Sequence, residues 1–294
     1  MILCPRCGAG HDDAGFACPA CGYRPDRVDG IPLLAPALAG EVEGFDPAAF
    51  AMLAAAEDGH FWFESRNRLI VRTLRRWFPE ARDYLEVGCG TGCVLAAIDR
   101  ACPDWSLTGT EVLAAGLGHA ARRAPRARLL QLDARALPFA AAFDVIGAFD
   151  VLEHIREDEA VLAQFHRALR PGGGVLLSVP QHPSLWSSQD ELAHHVRRYR
   201  RGELEAKLRA AGFGIEWSSS FMAILLPMLW LARRRPSSDA EPLAQAHQEL
   251  APPAPVNAVL GGLLAVERAL LAAGVRLPAG SSRMVVARRR ETTP

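Results

Sequence analysis

Lysine is almost missing from this 294-residue chain. Lys207 is the only one, and arginine supplies the other 32 of the 33 basic residues. Acidic residues also number 33, so the formal net charge is zero. A balanced chain lacks the field of a polyanion-coating protein, although a local basic patch stays compatible with it. Arginine alongside abundant Ala, Gly and Pro reads as a coding bias rather than a functional mark. Long apolar runs are lacking too: none reaches the roughly 18 residues needed to span a bilayer. The opening MILCPRC has no basic stretch followed by an apolar core, so no secretory signal is expected and a cytoplasmic location is. Without secretion, seven cysteines suggest reduced thiols or metal ligands rather than a disulfide framework. No internal repeat is visible. What is present, 50% hydrophobic and 22% charged residues, is a globular composition long enough for one large domain and a small one.

Residues 1–36 read as the small unit. Cys4-x-x-Cys7 and Cys18-x-x-Cys21 are two knuckles, each followed by a glycine, Gly8 and Gly22. Four thiolates suit tetrahedral Zn²⁺ in a structural site, because four protein ligands leave no open position for catalysis. So short a segment has little core, and the metal would supply much of its stability. The run Asp29-Gly30-Ile31-Pro32-Leu33-Leu34 makes the segment resemble the Trm112-like zinc ribbon, which implies a structural or recruiting module. Residues 37–48 read as a linker, and 49–82 as a helical cap containing His60-Phe61-Trp62-Phe63 and Arg66-Asn67-Arg68.

The most informative stretch is Leu85–Gly92, LEVGCGTG. A short apolar run ends in Gly88, Gly90 and Gly92, and a helical pattern follows, so a strand, a tight turn and a helix N-terminus are expected. Glu86 stands just before the glycines. Its carboxylate would repel a pyrophosphate that the helix N-terminus alone would attract. That favours a ligand with an amine or hydroxyls near the turn. Downstream, strand and helix patterns alternate to about Ser220, which predicts an α/β fold with a mostly parallel sheet and helices on both faces. Ligands of such sheets sit beyond the carboxyl ends of the strands. Glu111 ends the second strand of this series, placed to accept hydrogen bonds from ribose hydroxyls. Asp133 follows the third. Asp150-Val151-Leu152-Glu153-His154 follows the fourth, and Arg170-Pro171-Gly172-Gly173-Gly174 opens the fifth.

These pieces, in this order, resemble the class I S-adenosylmethionine-dependent methyltransferases of the type 11/12-like group. The resemblance implies a Rossmann-like sheet with an antiparallel last strand, spanning residues 83–294. It implies Glu86 near the cofactor's amine, the three glycines against its backbone, Glu111 on the ribose and Asp133 on the adenine amino group. Val112, Ala134, Asp150 and Val151 complete the expected cofactor contacts, the last two near the transferring methyl. The aromatic-then-arginine segment would cap the pocket.

Methyl transfer needs a base only for a poorly acidic acceptor. His195 is the first candidate, as base or substrate ligand, on a loop Pro183–Tyr199 that resembles the substrate-side loop of a methyltransferase subgroup. Asp190, Arg198 and Tyr199 would shape that site, with Tyr199 and His154 as further catalytic candidates. The chain departs from a minimal methyltransferase at 221–275. Twelve apolar residues, 221–232, run into an arginine triplet, then a polar stretch 236–255 and an apolar helical stripe from Val256 to Leu271. This insertion packs on the sheet as a helical hairpin, or else meets lipid through 221–235 at the inner face of a membrane. The resulting expectation is a methyltransferase acting on an oxygen or other nucleophile of a small or lipid-linked molecule. Two alternatives stand beside it: an rRNA or tRNA methyltransferase using the ribbon, and a non-catalytic scaffold.

Overall fold

The computed structural model describes residues 1–12, 15–40, 49–233 and 251–290. Most of the expected linker, the side chains of the arginine triplet and most of the polar stretch 236–255 lie outside the described residues.

The ribbon segment contributes two hairpins, β1 (Ile2–Leu3) with β2 (Gly10–His11), and β3 (Asp26–Val28) with β4 (Ile31–Leu33). The expected single helical region is two helices, α1 (Ala49–Glu57) and α2 (Phe61–Trp77). Gly59 breaks it at a φ of 78°, and His60 caps the second helix by accepting from the Trp62 N–H. Then come β5 (Asp83–Val87), α3 (Cys93–Ala101), β6 (Ser106–Glu111), α4 (Ala114–Arg123), β7 (Arg128–Gln131), β8 (Phe143–Phe149) and α5 (Asp158–Ala168). They are followed by β9 (Leu169–Pro180), α6 (Ser188–Leu192), α7 (Glu203–Ala210), β10 (Phe213–Phe221), α8 (Leu226–Arg233), α9 (Ala254–Ala272) and β11 (Ser282–Arg289).

One nine-stranded sheet organises the molecule, in the order β10-β11-β9-β8-β5-β6-β7-β4-β3. The centre, β9-β8-β5-β6-β7, is parallel, and β11 inserts antiparallel between β9 and β10. This is the mostly parallel sheet that the alternation implied, with the antiparallel last strand that the family resemblance implied. Both faces are covered, in keeping with the long apolar runs of β8 and β9. Tyr84, Val145, Leu176 and Val286 belong to one core cluster; Leu85, Val87, Ile146, Leu177 and Val285 belong to the other. The strand order reverses around β5, whose neighbours are β6 and β8, which opens a crevice at its carboxyl end.

Although the ribbon reads as a separate unit, it is docked on the sheet. β4 joins the edge of β7 in parallel, Leu33 facing Gln131. The Gln131 side chain, fully buried, accepts from the Ala35 N–H and donates to the Ala35 and Val112 carbonyls. Leu3 N–H donates to the Pro138 carbonyl, and buried Phe16 packs edge-on against Phe139.

The insertion divides. Phe221, Met222 and Leu225 are buried, whereas Met228, Trp230 and Leu231 of α8 are exposed. Helix α9, at 19 residues, is long and apolar enough to cross a membrane by length and composition. Its apolar run is not continuous, because Asn257, Glu267 and Arg268 interrupt it. Those residues tie the helix to the protein. Buried Glu267 accepts from the N–H groups of Met222, Ala223 and Ile224, Asn257 accepts from the Phe61 N–H, and Arg268 donates to the Ser65 hydroxyl of α2.

Candidate active site

The glycine octet forms the turn between β5 and α3, and Gly88, Gly90 and Gly92 all adopt left-handed φ values of 71°, 51° and 79°. Space as well as φ demands glycine at two of them. A Cβ on Gly88 would lie 2.5 Å from Val151 Cγ2, and one on Gly92 would lie 2.7 Å from the Ala120 backbone. The turn is thus pressed between the β8 end and α4, and backbone rather than side chain lines it.

Two buried carboxyl groups flank the turn. Glu111 accepts from Gly90 N–H at 3.0 Å with one oxygen and from Val112 and Leu113 N–H at 2.8 and 3.2 Å with the other. It therefore fixes the turn to the end of β6. Burial raises its pKa, against those three N–H donors. Glu86 is almost wholly inaccessible, and its nearest donor is the Tyr84 hydroxyl at 3.4 Å. Burial pushes its carboxyl up to about 8, opposed by the positive charge of Arg66. A buried carboxyl so thinly partnered, beside a bare backbone turn, fits a ligand that brings its own cation. Asp133, also at a strand end, accepts from the Arg135 N–H at 2.8 Å and pairs with the Arg135 guanidinium, beside the buried Ala134.

The helical cap closes this end of the sheet. Phe50 of α1 lies 3.8 Å from the position a Cβ on Gly90 would take and 3.0 Å from that on Gly116. Thr91 donates to Glu57, which also pairs with Arg123 of α4. Arg66 of α2 pairs with Asp150 at 2.7 Å and stacks over Trp62, centroid 4.5 Å away. Asp150 itself takes a left-handed φ of 58° and also accepts from the Ser178 hydroxyl. The sequence marked the aromatic–arginine segment as a cap but gave no sign of the Arg66–Asp150 and Glu57–Thr91–Arg123 pairings. A cavity of about 510 Å³, lined by Met52, Ala56, Gly59, His60, Ala254 and Asn257 among others, opens between α1 and α9. None of the strand-end carboxylates lines it, so the glycine turn and its carboxyl groups remain the better guide to the site.

On the far side of Asp150, the loop 183–199 folds back over the β8 end. Asp190 is its hub. Its carboxylate accepts from the Ser187 N–H, from Arg198 Nε at 2.7 Å and from His195 Nδ1 at 2.8 Å. Against burial, those donors hold its pKa at about 2. His195 therefore turns Nε2 inward, 4.0 Å from a carboxylate oxygen of fully buried Glu153. The rings of His154 and His195 meet nearly at right angles, centroids 4.8 Å apart. His154 keeps an edge open to solvent, yet lost hydration and the neighbouring His195 lower its pKa to about 4. In the sequence Glu153 carries no distinguishing signal, being one more Glu in the run that follows a strand.

Tyr199 departs from expectation. Its side chain is in the core, and its hydroxyl donates to Asp158 at 2.7 Å, a carboxylate shared with Lys207 and Arg197. Burial raises its pKa well above the usual phenol value, followed by that hydrogen bond. The geometry makes it a brace for the loop rather than a group that touches substrate.

At the N-terminus, Cys4 Sγ lies 3.6 Å from Cys21 and Cys7 Sγ 3.7 Å from Cys18. All four sulfurs are within 4.8 Å of one another. Gly8 and Gly22, at φ 75° and 69°, each return an N–H to the first cysteine carbonyl of their knuckle. Four converging thiols fit a tetrahedral zinc ion.

Comparison with known proteins gives this geometry a context. Residues 56–216 match the family described as Methyltransferase domain. A Mycolicibacterium smegmatis protein named as an S-adenosylmethionine-dependent methyltransferase is 29% identical over 53% of this chain and 61% of its own length. This chain thus spans about three fifths of that relative. A trans-aconitate 2-methyltransferase of Azoarcus is 29% identical over 45% of this chain and 50% of its own. The ubiquinone biosynthesis O-methyltransferase of Azotobacter vinelandii is 27% identical over 53% and 79%. Among solved structures, the Haloferax volcanii complex of the Trm112 methyltransferase activator with a methyltransferase superposes with a TM-score of 0.55 at 17% identity, covering 84% of this chain and 99% of that one. The [4+2]-cyclase SpnF superposes at 0.52 and 19%, covering 78% and 82%. At those identities the structures attest the fold alone, and the cyclase illustrates that this fold carries more than one activity.

Proposed function

The chain belongs to the Methyltransferase domain family through residues 56–216, and from that premise we propose that it transfers the methyl group of S-adenosylmethionine to an oxygen nucleophile of a small-molecule acceptor. The observation that carries the reading is the pair of buried carboxyl groups, Glu86 and Glu111, flanking a left-handed glycine turn at the sheet's switch point. The sulfonium methyl that this cofactor supplies is already activated, so the residues have to bind, orient and exclude water. Glu86 offers a negative partner to an amine, Glu111 acceptors to vicinal hydroxyls, and Asp133 an acceptor to an amino group. Helices α1 and α2 close over the turn and shut out solvent. His154 and His195 stand on the acceptor's side of Asp150. The named relatives support oxygen as the acceptor atom: one is named for trans-aconitate, another for O-methylation in ubiquinone biosynthesis. Calorimetry with S-adenosylhomocysteine tests the reading; no heat and no thermal shift would leave a scaffold instead.

Glu86 gives this reading a pH signature. With its pKa near 8, the free protein holds the carboxyl protonated through neutral pH. A cationic amine beside it favours the carboxylate, so binding expels a proton. Affinity for S-adenosylhomocysteine should then climb between pH 6 and 7.5, by up to about tenfold per unit. Glu86→Gln should flatten that slope, and a flat profile in the unmodified protein would remove Glu86 from the amine.

A lipid-linked acceptor is the second reading. Val256, Val259, Leu263, Val266 and Leu270 make one exposed apolar stripe on α9, beside exposed Trp230 and Leu231 of α8. Such a face lies well in a lipid interface. In flotation with anionic liposomes the protein should rise with the vesicles under this reading; protein left at the bottom of the gradient restricts the acceptor to soluble molecules.

A further inference from the structure

Glu153 lies in the core. It is fully buried, and among the described residues neither of its carboxylate oxygens has a hydrogen-bond partner. A carboxylate so placed is costly unless a cation meets it. What faces it is the imidazole of His195. Asp190 already accepts from Arg198 Nε and the Ser187 N–H, so His195 Nδ1 is the donor of their 2.8 Å contact. In the neutral ring Nε2 then carries a lone pair, and it points at Glu153 Oε1 from 4.0 Å. The gap between them is too long for a hydrogen bond and wide enough for an ion that would meet an ionised Glu153. His154 completes the arrangement, since one donor atom from each of the three residues lies within 4.8 Å of the others.

We propose that Glu153, His154 and His195 form a binding site for a divalent transition-metal ion, with coordination positions left open for an oxygen of the acceptor. Two imidazoles and one carboxylate suit Zn²⁺, Co²⁺, Fe²⁺ or Mn²⁺ better than the all-oxygen shells of Ca²⁺ or Mg²⁺. The outer shell is built as metal sites are built, since Asp190 orients the His195 ring through Nδ1. Three protein ligands leave room for a ligand from outside, unlike the four-cysteine cluster at the N-terminus. Glu153 stands three residues beyond Asp150, which places the ion beside the expected methyl position. Its role there rests on the methyltransferase reading above. A coordinated acceptor hydroxyl has a lowered pKa and loses its proton to solvent. The O–CH₃ bond then forms as the S–CH₃ bond breaks, and S-adenosylhomocysteine leaves with the electron pair.

The test uses the full chain with its cysteine cluster first loaded with one equivalent of Zn²⁺, then titrated with Co²⁺. A second equivalent should bind, with visible ligand-field bands and no thiolate charge-transfer band. Glu153→Gln and His195→Gln should each weaken that equivalent by at least about a hundredfold, while the first zinc stays in place. If Glu153→Gln does not fold, His154→Ala, on a partly exposed side chain, carries the same comparison. A stoichiometry of one metal per chain, or a second equivalent that binds all variants alike, overturns the site. Calorimetry with S-adenosylhomocysteine on the same samples separates the two claims. Cofactor binding without a second metal sinks only this site, and metal binding without cofactor sinks only the methyltransferase reading.

Discussion

Stripping zinc from the four-cysteine cluster should lower the thermal midpoint of the whole chain, not of the ribbon alone, and should promote aggregation. The ribbon has little core of its own, so a zinc ion held by the four cysteines would supply much of its stability. Yet its β4 forms part of the main sheet's edge, pairing Leu33 with Gln131 of β7, and Phe16, Ile2 and Leu33 are buried against the methyltransferase body. Losing even two of those side chains from the interface removes about 3 kcal/mol, which for a domain of this size is roughly 6–12 °C in Tm. It also uncovers the apolar β7, a free edge of the kind that seeds association. Scanning calorimetry with and without chelator, alongside elemental zinc content, measures this. A midpoint that stays put after zinc has left would show that the ribbon and the sheet are not coupled, and purified protein without zinc would contradict the metal assignment. Cys4→Ser with Cys21→Ser should reproduce the chelator's effect.

Replacing Glu111 should have the largest effect on the cofactor. In Glu111→Ala the Gly90, Val112 and Leu113 N–H groups lose their common acceptor, so the turn loosens and its end of the pocket loses its hydroxyl-binding group. Charge-assisted hydrogen bonds of this kind are worth about 1.5–3 kcal/mol each. A combined loss of about 3 kcal/mol or more weakens S-adenosylhomocysteine binding on the order of a hundredfold. Glu111→Gln is informative because its amide turns an NH₂ donor toward either Gly90 or the Val112–Leu113 pair, leaving a buried N–H unmet. It should therefore recover only a small part of the affinity. Isothermal titration reads both variants, and an unchanged affinity in Glu111→Ala would place the cofactor's hydroxyls elsewhere.

Much of the molecule was legible in the sequence because it rests on local rules. Four cysteines at knuckle spacing with trailing glycines bring their sulfurs together in the way a tetrahedral metal ion would require. Alternating apolar strands and amphipathic helices dictate a parallel sheet covered on both faces, and glycines before a helix dictate a left-handed turn. Glu86, Glu111 and Asp133 sit at strand ends because the periodicity that defines the strands also defines where they stop. Tyr199 was misjudged by the same local reasoning: its place in a polar loop motif could not reveal that its hydroxyl would be committed to Asp158, 41 positions away in the chain.

The sequence by itself determined the fold class, the cysteine cluster and the strand-end carboxyl groups, since periodicity and turn chemistry act over a few residues. Only the tertiary structure decided that the ribbon extends the main sheet through β4, that Arg66 reaches Asp150, and that Glu153 is buried facing the His195 imidazole. Those outcomes depend on which distant segments become neighbours. Burial then changes what each group is worth: in water Glu153 would be an ordinary carboxylate, whereas in the core burial pushes its pKa well up, and no local pattern carries that information.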